Sequence, residues 1–161
     1  MKTLRNTLLF LAASTTLTLG ATAALAGECP ADKRVADGQG QKSGATMPKD
    51  VVDKVIASTD LETTSVGVKG RLFRARELRI MPGGIVPWHS HSDRPAMIYV
   101  VSGEIVEYAS TCAVPIVHRA GEVTPEKAPT SHWWQNTSNA PVVLISVDLF
   151  RVEDKANEKM M

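Results

Sequence analysis

Closely spaced turn signals are the feature that most limits what this 161-residue chain can fold into. From Thr64 onward, the turn residues Gly70, Pro82-Gly83-Gly84, Ser102-Gly103 and Ala120-Gly121 divide the chain into short runs. These runs are rich in Val and Ile and several alternate in polarity, which favours strands over long helices. The sequence therefore predicts an all-β domain, built as a sandwich or a small barrel.

The first 26 residues have the pattern of an export signal. Lys2 and Arg5 give a basic start, an apolar run follows from Leu8 to Leu19, and Ala24-Leu25-Ala26 places small residues where a signal peptidase reads them. The apolar run is shorter than the roughly 20 residues that span a bilayer. We therefore expect cleavage after Ala26 and a periplasmic or secreted protein.

Composition divides the chain into four segments. We expect a signal peptide over 1–26, a flexible N-terminal arm over 27–48, a barrel over 49–152 and a polar tail over 153–161. The leader carries two of the 18 basic residues and no acidic residue, so the mature chain has 16 basic against 17 acidic residues, a net charge of −1. This balance argues against a nucleic acid or an anionic membrane surface as a partner.

Cys29 and Cys112 are the two cysteines of the chain. In an oxidising compartment an even number of cysteines favours a disulfide. The bridge would close a loop of 112 − 29 = 83 residues, worth roughly 4 kcal/mol in the chain-entropy model. The alternative is that Cys112 acts as a metal ligand or a reactive thiol.

His89 and His91 are separated by one residue after the Pro82-Gly83-Gly84 turn. Strand side chains alternate with a period of two, so both imidazoles would point to the same side of a strand. Two imidazoles aimed at one point are the beginning of a metal site. A third ligand has to come from elsewhere, and His118 and His132 are the two remaining histidines.

The spacing around these histidines resembles the two motifs of the cupin superfamily. Gly83, five residues, His89, one residue, His91 and then Gly103 resemble the first motif, and Gly121 followed by His132 and Asn136 resembles the second. The resemblance implies a double-stranded β-helix, or jelly-roll barrel. It also implies that His89, His91 and His132 are metal ligands.

The sequence departs from the family pattern at several positions. Ala96 stands where cupins carry a glutamate ligand, and Lys127 and Pro129 stand at the Pro and Gly positions of the second motif. Three neutral imidazoles would leave a divalent ion its full charge, which favours an anionic, chelating small molecule as ligand. Such a site suits iron above all, with nickel, zinc, manganese and copper as alternatives.

Strand parity indicates which side chains surround the ion. Trp134 shares the parity of His132 and is expected to line a pocket together with Ala96 and Ile98, although it could equally fill the barrel. Arg76 and its neighbour Arg74 would face inward if the alternation is regular, and Arg76 would then contact a substrate anion. The alternative that we favour is a solvated rim with a local bulge.

Other polar and exposed positions receive simpler interpretations. His118 lies near a turn and is expected at the surface, and Glu104 and Glu107 follow the Ser102-Gly103 turn as solvent-facing charges. Met97 and Tyr99 have the outward parity, and the family resemblance implies that they could form a contact in a homodimer.

Two functional hypotheses follow from the resemblance. The first is a small metalloenzyme that resembles the three-His dioxygenases among cupins. The second is a non-catalytic cupin of the cell envelope that binds a metal or a small ligand. No general acid or base can be identified beside the histidines, so the sequence leaves open whether the protein is an enzyme.

Overall fold

The structure of the protein is a computed structural model that describes residues 27–153. The predicted signal peptide over 1–26 and the predicted tail beyond residue 153 lie outside the described residues. Eight strands form one curled antiparallel sheet, as the predicted jelly-roll barrel requires, and the all-β prediction is confirmed. Within 27–153, no helix reaches the length and apolar character needed to cross a membrane.

Eight strands follow one another along residues 27–153. They are β1 (Lys49–Asp60), β2 (Arg71–Ser90), β3 (Ala96–Ser102), β4 (Glu104–Ala109), β5 (Ile116–Arg119), β6 (Val123–Glu126), β7 (Ser131–Gln135) and β8 (Val142–Arg151). Short 3₁₀ turns occupy Ala31–Lys33 and Leu61–Thr63.

The long strand β2 bends at Pro82-Gly83-Gly84 and belongs to both halves of the barrel. Its first half pairs with β8 and β1, and its second half pairs with β7. The strand order β5-β4-β7-β2-β8-β3-β6 follows from this shared strand. Gly83 has a φ of 74°, a left-handed conformation that glycine adopts without strain.

Alternation along the strands sends apolar side chains into the barrel. Ile80, Val100 and Val142 from one half and Ile105 and Trp134 from the other are buried in a single core. The polar side chains of the site continue the same inward alternation toward one end of the barrel, because β7 and β8 keep their parity along their length. The core therefore forms the floor of the site.

The edge strands β5 and β6 form no ladder with each other in the described part of the chain. This leaves a seam in the barrel, and the arm over 27–48 lies at its mouth. The Cys29–Cys112 disulfide is formed, and backbone hydrogen bonds join Val35 to Thr111 (3.0 Å) and Gln41 to Ala109 (2.9 Å). The arm predicted to be flexible is therefore held along the barrel.

Candidate metal centre

A β-bulge places His89 opposite His132. Val86 pairs with Trp134, but the register then shifts so that His89, and not Trp88, pairs with His132. The extra residue turns His89 inward although it has the opposite parity to Val86. His91 follows directly after the strand end and is buried.

The structure brings the three predicted histidine ligands together. The Nε2 atom of His89 lies 3.0 Å from Nε2 of His91 and 3.2 Å from Nε2 of His132. These side chains come from positions up to 43 residues apart in sequence. His118, the fourth histidine, is not part of this group.

The hydrogen bonds of the Nδ1 atoms determine which nitrogens face the centre. His89 donates through Nδ1 to the carbonyl of Pro87 (2.8 Å) and His91 to the carbonyl of Arg94 (2.7 Å). Both acceptors lack a proton, so the proton of each neutral imidazole lies on Nδ1. His132 likewise donates through Nδ1 to Glu107 (2.5 Å). When the three rings are neutral, their Nε2 atoms therefore carry no proton and converge as the ligands of one cation would.

Glu126 adds a carboxylate to the three imidazoles. Its Oε2 atom lies 3.0 Å from Nε2 of His91 and its Oε1 atom 3.4 Å from Nε2 of His132. Donors bonded to one cation at about 2.1 Å are separated by about 3.0 Å in an octahedral and about 3.4 Å in a tetrahedral arrangement. The residues present therefore fit a divalent transition metal.

The expectation of a site without a carboxylate is therefore wrong. Ala96 does occupy the family's glutamate position in β3, but its cross-strand partner in β6 is Glu126. A carboxylate ligand cancels one unit of charge, so a divalent ion held here would keep a formal charge of +1 instead of +2. The signal that could have found Glu126 is its position six residues before His132, on an inward parity in β6.

Glu107 and His118 are also placed differently from the prediction. Both are buried, and His118 donates through Nε2 to Oε2 of Glu107 (2.8 Å), whose Oε1 accepts the bond from His132. His118 stacks on Trp134 with ring centroids 4.4 Å apart. The expected surface histidine and solvent-facing glutamate instead support the His132 ring from behind, as carboxylates do for metal-bound histidines.

Burial and charge shift the pKa values of Glu107 and His132 in opposite directions. Burial by itself would raise the pKa of Glu107, but the charge of His132 and the hydrogen bonds from His118 and His132 lower it to about 2. Burial would lower the pKa of His132, yet Glu126 and Glu107 raise it. The pKa of His89 is well below its usual value because burial is joined by the charges of His132 and His91.

A cavity of about 30 Å³ lies on the inner side of the cluster. Trp134 and Ile98 line it as predicted, whereas Ala96 is buried beside Glu126 without lining it. One water needs about 10–15 Å³ of such volume. The cavity therefore has room for a ligand of a few atoms.

Arginines form the polar wall of this inner cavity. Arg76 and Arg94 line it, and Arg76 is buried, which corrects the favoured interpretation of a solvated rim. Arg76 pairs with Asp53, while its buried Nε has no hydrogen-bond partner among the described residues. Burial, followed by the charge of Arg76, lowers the pKa of Arg94 to about 10, so Arg94 is charged at neutral pH.

Strand parity predicts an inward position for Arg74, and the alternative is a position at the solvated rim. The structure shows that Arg74 also points inward. It is buried, with its Nε and Nη2 atoms 3.0 and 2.8 Å from the two oxygens of Asp148. Its guanidinium lies over the ring of Phe150, 3.6 Å from the centroid. Arg74 therefore forms a buried ion pair with Asp148 and does not line the inner cavity.

A second cavity of about 480 Å³ lies at the seam between the two edge strands. Its walls come from the arm, from β4 and β5, and from β6 with the loop that follows it. Glu126 and His132 reach this cavity as well, so the cluster lies between a small inner space and a larger one at the surface. Lys127 lines this second cavity and is exposed to solvent.

Comparison with known proteins identifies the class to which this fold and site belong. The model of the cupin domain matches residues 76–148. A protein from Thermotoga maritima described as a predicted oxalate decarboxylase superposes with a TM-score of 0.53 at 17% identity, over 76% of this chain and 98% of that one. No curated protein matches the sequence.

A second solved structure has a similar fold. An uncharacterized conserved protein with a double-stranded β-helix domain from Klebsiella pneumoniae has a TM-score of 0.50 at 17% identity, over 68% of this chain and 82% of that one. At this identity both likenesses show the fold alone. The chain therefore contains a cupin domain over residues 76–148, on a fold that it shares with these structures.

Proposed function

We propose that this cupin is an exported metalloprotein that binds one divalent cation through His89, His91, His132 and Glu126. The observation that carries the proposal is the convergence of three Nε2 atoms and one carboxylate, whose ligand atoms all lie within 4.8 Å of one another. Three imidazoles and one carboxylate suit iron, with manganese, nickel, zinc and copper as alternatives. The disulfide and the predicted leader both support a periplasmic or secreted location.

The ligand that fits beside the cation is a small anion. Arg76 and Arg94 line the inner cavity with positive charge that Asp53 and Asp148 offset in part, and the unpartnered Nε of Arg76 supplies a donor. The cavity volume of about 30 Å³ limits the ligand to a few atoms, so a carboxylate such as formate or oxalate fits better than an aromatic acid. We therefore propose that the predicted chelating anion is a small carboxylate of this kind.

The chain's own residues bind and shield such a ligand. Leu78, Val86 and Leu144 form the apolar wall opposite the arginines and exclude water. Arg76 and Arg94 orient the anion, and Glu107 fixes the ring of His132. A bound cation would supply Lewis-acid or, for iron, one-electron chemistry next to the anion.

Our leading hypothesis is an oxygenase-type enzyme, since a redox-active cation beside a dry cavity can use O₂ without a protein acid or base. One observation favours the alternative of a non-catalytic binding protein. Among the described residues that line the inner cavity, the carboxylate of Glu126 belongs to the cation cluster, and the other four ionisable residues already have a role in binding. These four are Arg76, His89, His91 and Arg94. None is left with an evident role in moving a proton.

Metal analysis of the exported protein, followed by oxygen consumption, tests the proposal. We expect about one cation per chain and oxygen uptake by the iron-loaded protein when formate, oxalate or glyoxylate is added. Glu126→Gln should lose both, and Glu104→Gln, an exposed change on β4, should lose neither. Metal binding without oxygen uptake would favour the non-catalytic alternative. Absence of metal binding at every cation tested would refute the proposal.

A further inference from the structure

His118 has one ring nitrogen that the described residues leave without a partner. Its Nε2 donates to Glu107, so the neutral ring presents Nδ1 as an acceptor. The side chain is 1% exposed, and Nδ1 has no hydrogen-bond partner among residues 27–153. Buried acceptors of this kind are almost always satisfied in folded proteins.

Gly27 is the residue packed against this nitrogen. A Cβ added to Gly27 would lie 2.7 Å from Nδ1 of His118 and 3.2 Å from Oε2 of Glu122. The Glu122 carboxylate is held in place by the backbone N–H of Arg119 (2.9 Å) and retains further acceptor capacity. An acceptor and a carboxylate thus converge on the backbone of one buried glycine.

We propose that the α-ammonium group of Gly27, created when the leader is removed after Ala26, is the missing partner of His118. Hydrolysis of the Ala26–Gly27 peptide bond consumes one water and leaves a carboxylate on Ala26 and an ammonium group on Gly27. An ammonium group has three donors, one for Nδ1 of His118 and one for the Glu122 carboxylate. Once the peptide bond is cut, rotation about the Cα–C bond of Gly27 can bring its nitrogen to the place where that Cβ would lie, because the N–Cα bond of about 1.46 Å is close in length to a Cα–Cβ bond.

The consequence extends to the cation cluster. Holding the His118 ring holds Glu107, and Glu107 orients the ring of His132. The new N-terminus would therefore act as a positioning group that completes the site only in the processed protein. This last step rests on the proposed function, whereas the placement of the ammonium group does not.

The test uses metal-free, exported protein whose N-terminus has been identified by mass spectrometry. We expect the chain to begin at Gly27, and its α-amine to be acylated at neutral pH at least tenfold more slowly in the folded protein than in the same protein in denaturant. Glu122→Gln should reduce this protection, and Glu62→Gln, a matched exposed change on another turn, should leave it intact. Acetylation of the amine should shift the ¹⁵N resonance of His118 Nδ1.

Two results would overturn the inference. One is a mature chain that begins at another residue, and the other is an α-amine that reacts equally fast in folded and unfolded protein. Because all readouts are taken without metal, a protected amine in a protein that binds no cation would refute the proposed function and leave this inference standing. Cation binding with an unprotected amine would do the reverse.

Discussion

Ala96 and Glu126 are cross-strand partners in the β3–β6 ladder, and the second of them brings the carboxylate to the cluster. Position 96, at which cupins carry their glutamate, is therefore uncharged in this protein. The carboxylate lies on the neighbouring strand β6 instead. Directly opposed residues have Cβ atoms about 5 Å apart, so a carboxylate side chain can reach the same point from either position. The site keeps its composition although its sequence motif is broken.

Exchange of the two residues tests this relationship. Glu126→Ala should weaken binding of Zn²⁺ or Co²⁺ by at least about tenfold, because it removes a ligand and a charge. Adding Ala96→Glu to that variant should recover most of the loss. Chelator competition measures both affinities, and Glu104→Ala serves as the exposed control. A double variant as weak as Glu126→Ala would show that position 96 cannot reach the ion.

Glu107 should matter for metal affinity although it is not a ligand. Glu107→Gln keeps the side-chain volume but weakens the hold on His132, and loss of such support typically costs 10–100-fold in affinity. Glu104→Gln lies on the same strand with a side chain 47% exposed against 8% for Glu107, which makes it the matched control. Equal affinities of the two variants in the same competition assay would contradict the assigned role.

The lowered pKa of Glu107 predicts an acid-sensitive fold in the metal-free protein. The pKa is about 2 in the folded state against an ordinary 4.5, so the ionised carboxylate stabilises the fold above pH 4.5. That contribution is lost as the pH falls from 4.5 toward 2, and it is on the order of 3 kcal/mol. Urea unfolding in the presence of a chelator should show a shallower decline for Glu107→Gln than for the wild type over this window. Parallel curves would exclude Glu107 as the cause.

The disulfide should be a major source of stability. Cys29→Ala combined with Cys112→Ala opens a loop of 83 residues, and the chain-entropy model gives a loss of roughly 4 kcal/mol. Denaturant unfolding under non-reducing conditions measures the loss. Trypsin should then cleave at Lys33 or Arg34 in the released arm, as it should in reduced wild type. An arm that stays resistant would mean that its backbone hydrogen bonds suffice to hold it.

The outer face of β3 and β6 predicts a homodimer. Met97, Tyr99 and Val123 are 55%, 43% and 54% exposed, and the first two have the outward parity expected of them. Met97→Lys should convert a dimer into a monomer in sedimentation experiments, because it places a charge in this apolar face. Val66→Lys, an equally exposed change outside the face, should have no effect. A wild-type protein that is monomeric at all concentrations would refute the prediction.

The sequence was informative where period-two alternation and turn spacing determine structure. The barrel and the inward direction of Trp134 follow from these patterns. The bulge between Val86 and His89 could not be read, because alternation alone assigns those two residues to opposite faces. His89 was placed correctly only because its partner His91 was used as the reference.

The polar interior was the part that sequence reasoning missed. His118, Glu107 and Arg74 are buried because each has a charged or hydrogen-bonding partner on another strand. Without those partners burial would be too costly, and a single sequence does not reveal which strands become neighbours. Glu126 was missed for the same reason, since its role depends on the pairing of β6 with β3.

The seam between β5 and β6 has a consequence for the solubility of the protein. Both strands have an unpaired edge, and free edges invite pairing with other molecules. The N-terminal arm lies at the entrance to these edges and is attached by the Cys29–Cys112 disulfide. This disulfide forms only under oxidising conditions. Under reducing conditions the arm would be released and the two edges would become accessible, so resistance to aggregation depends on oxidation of this cysteine pair.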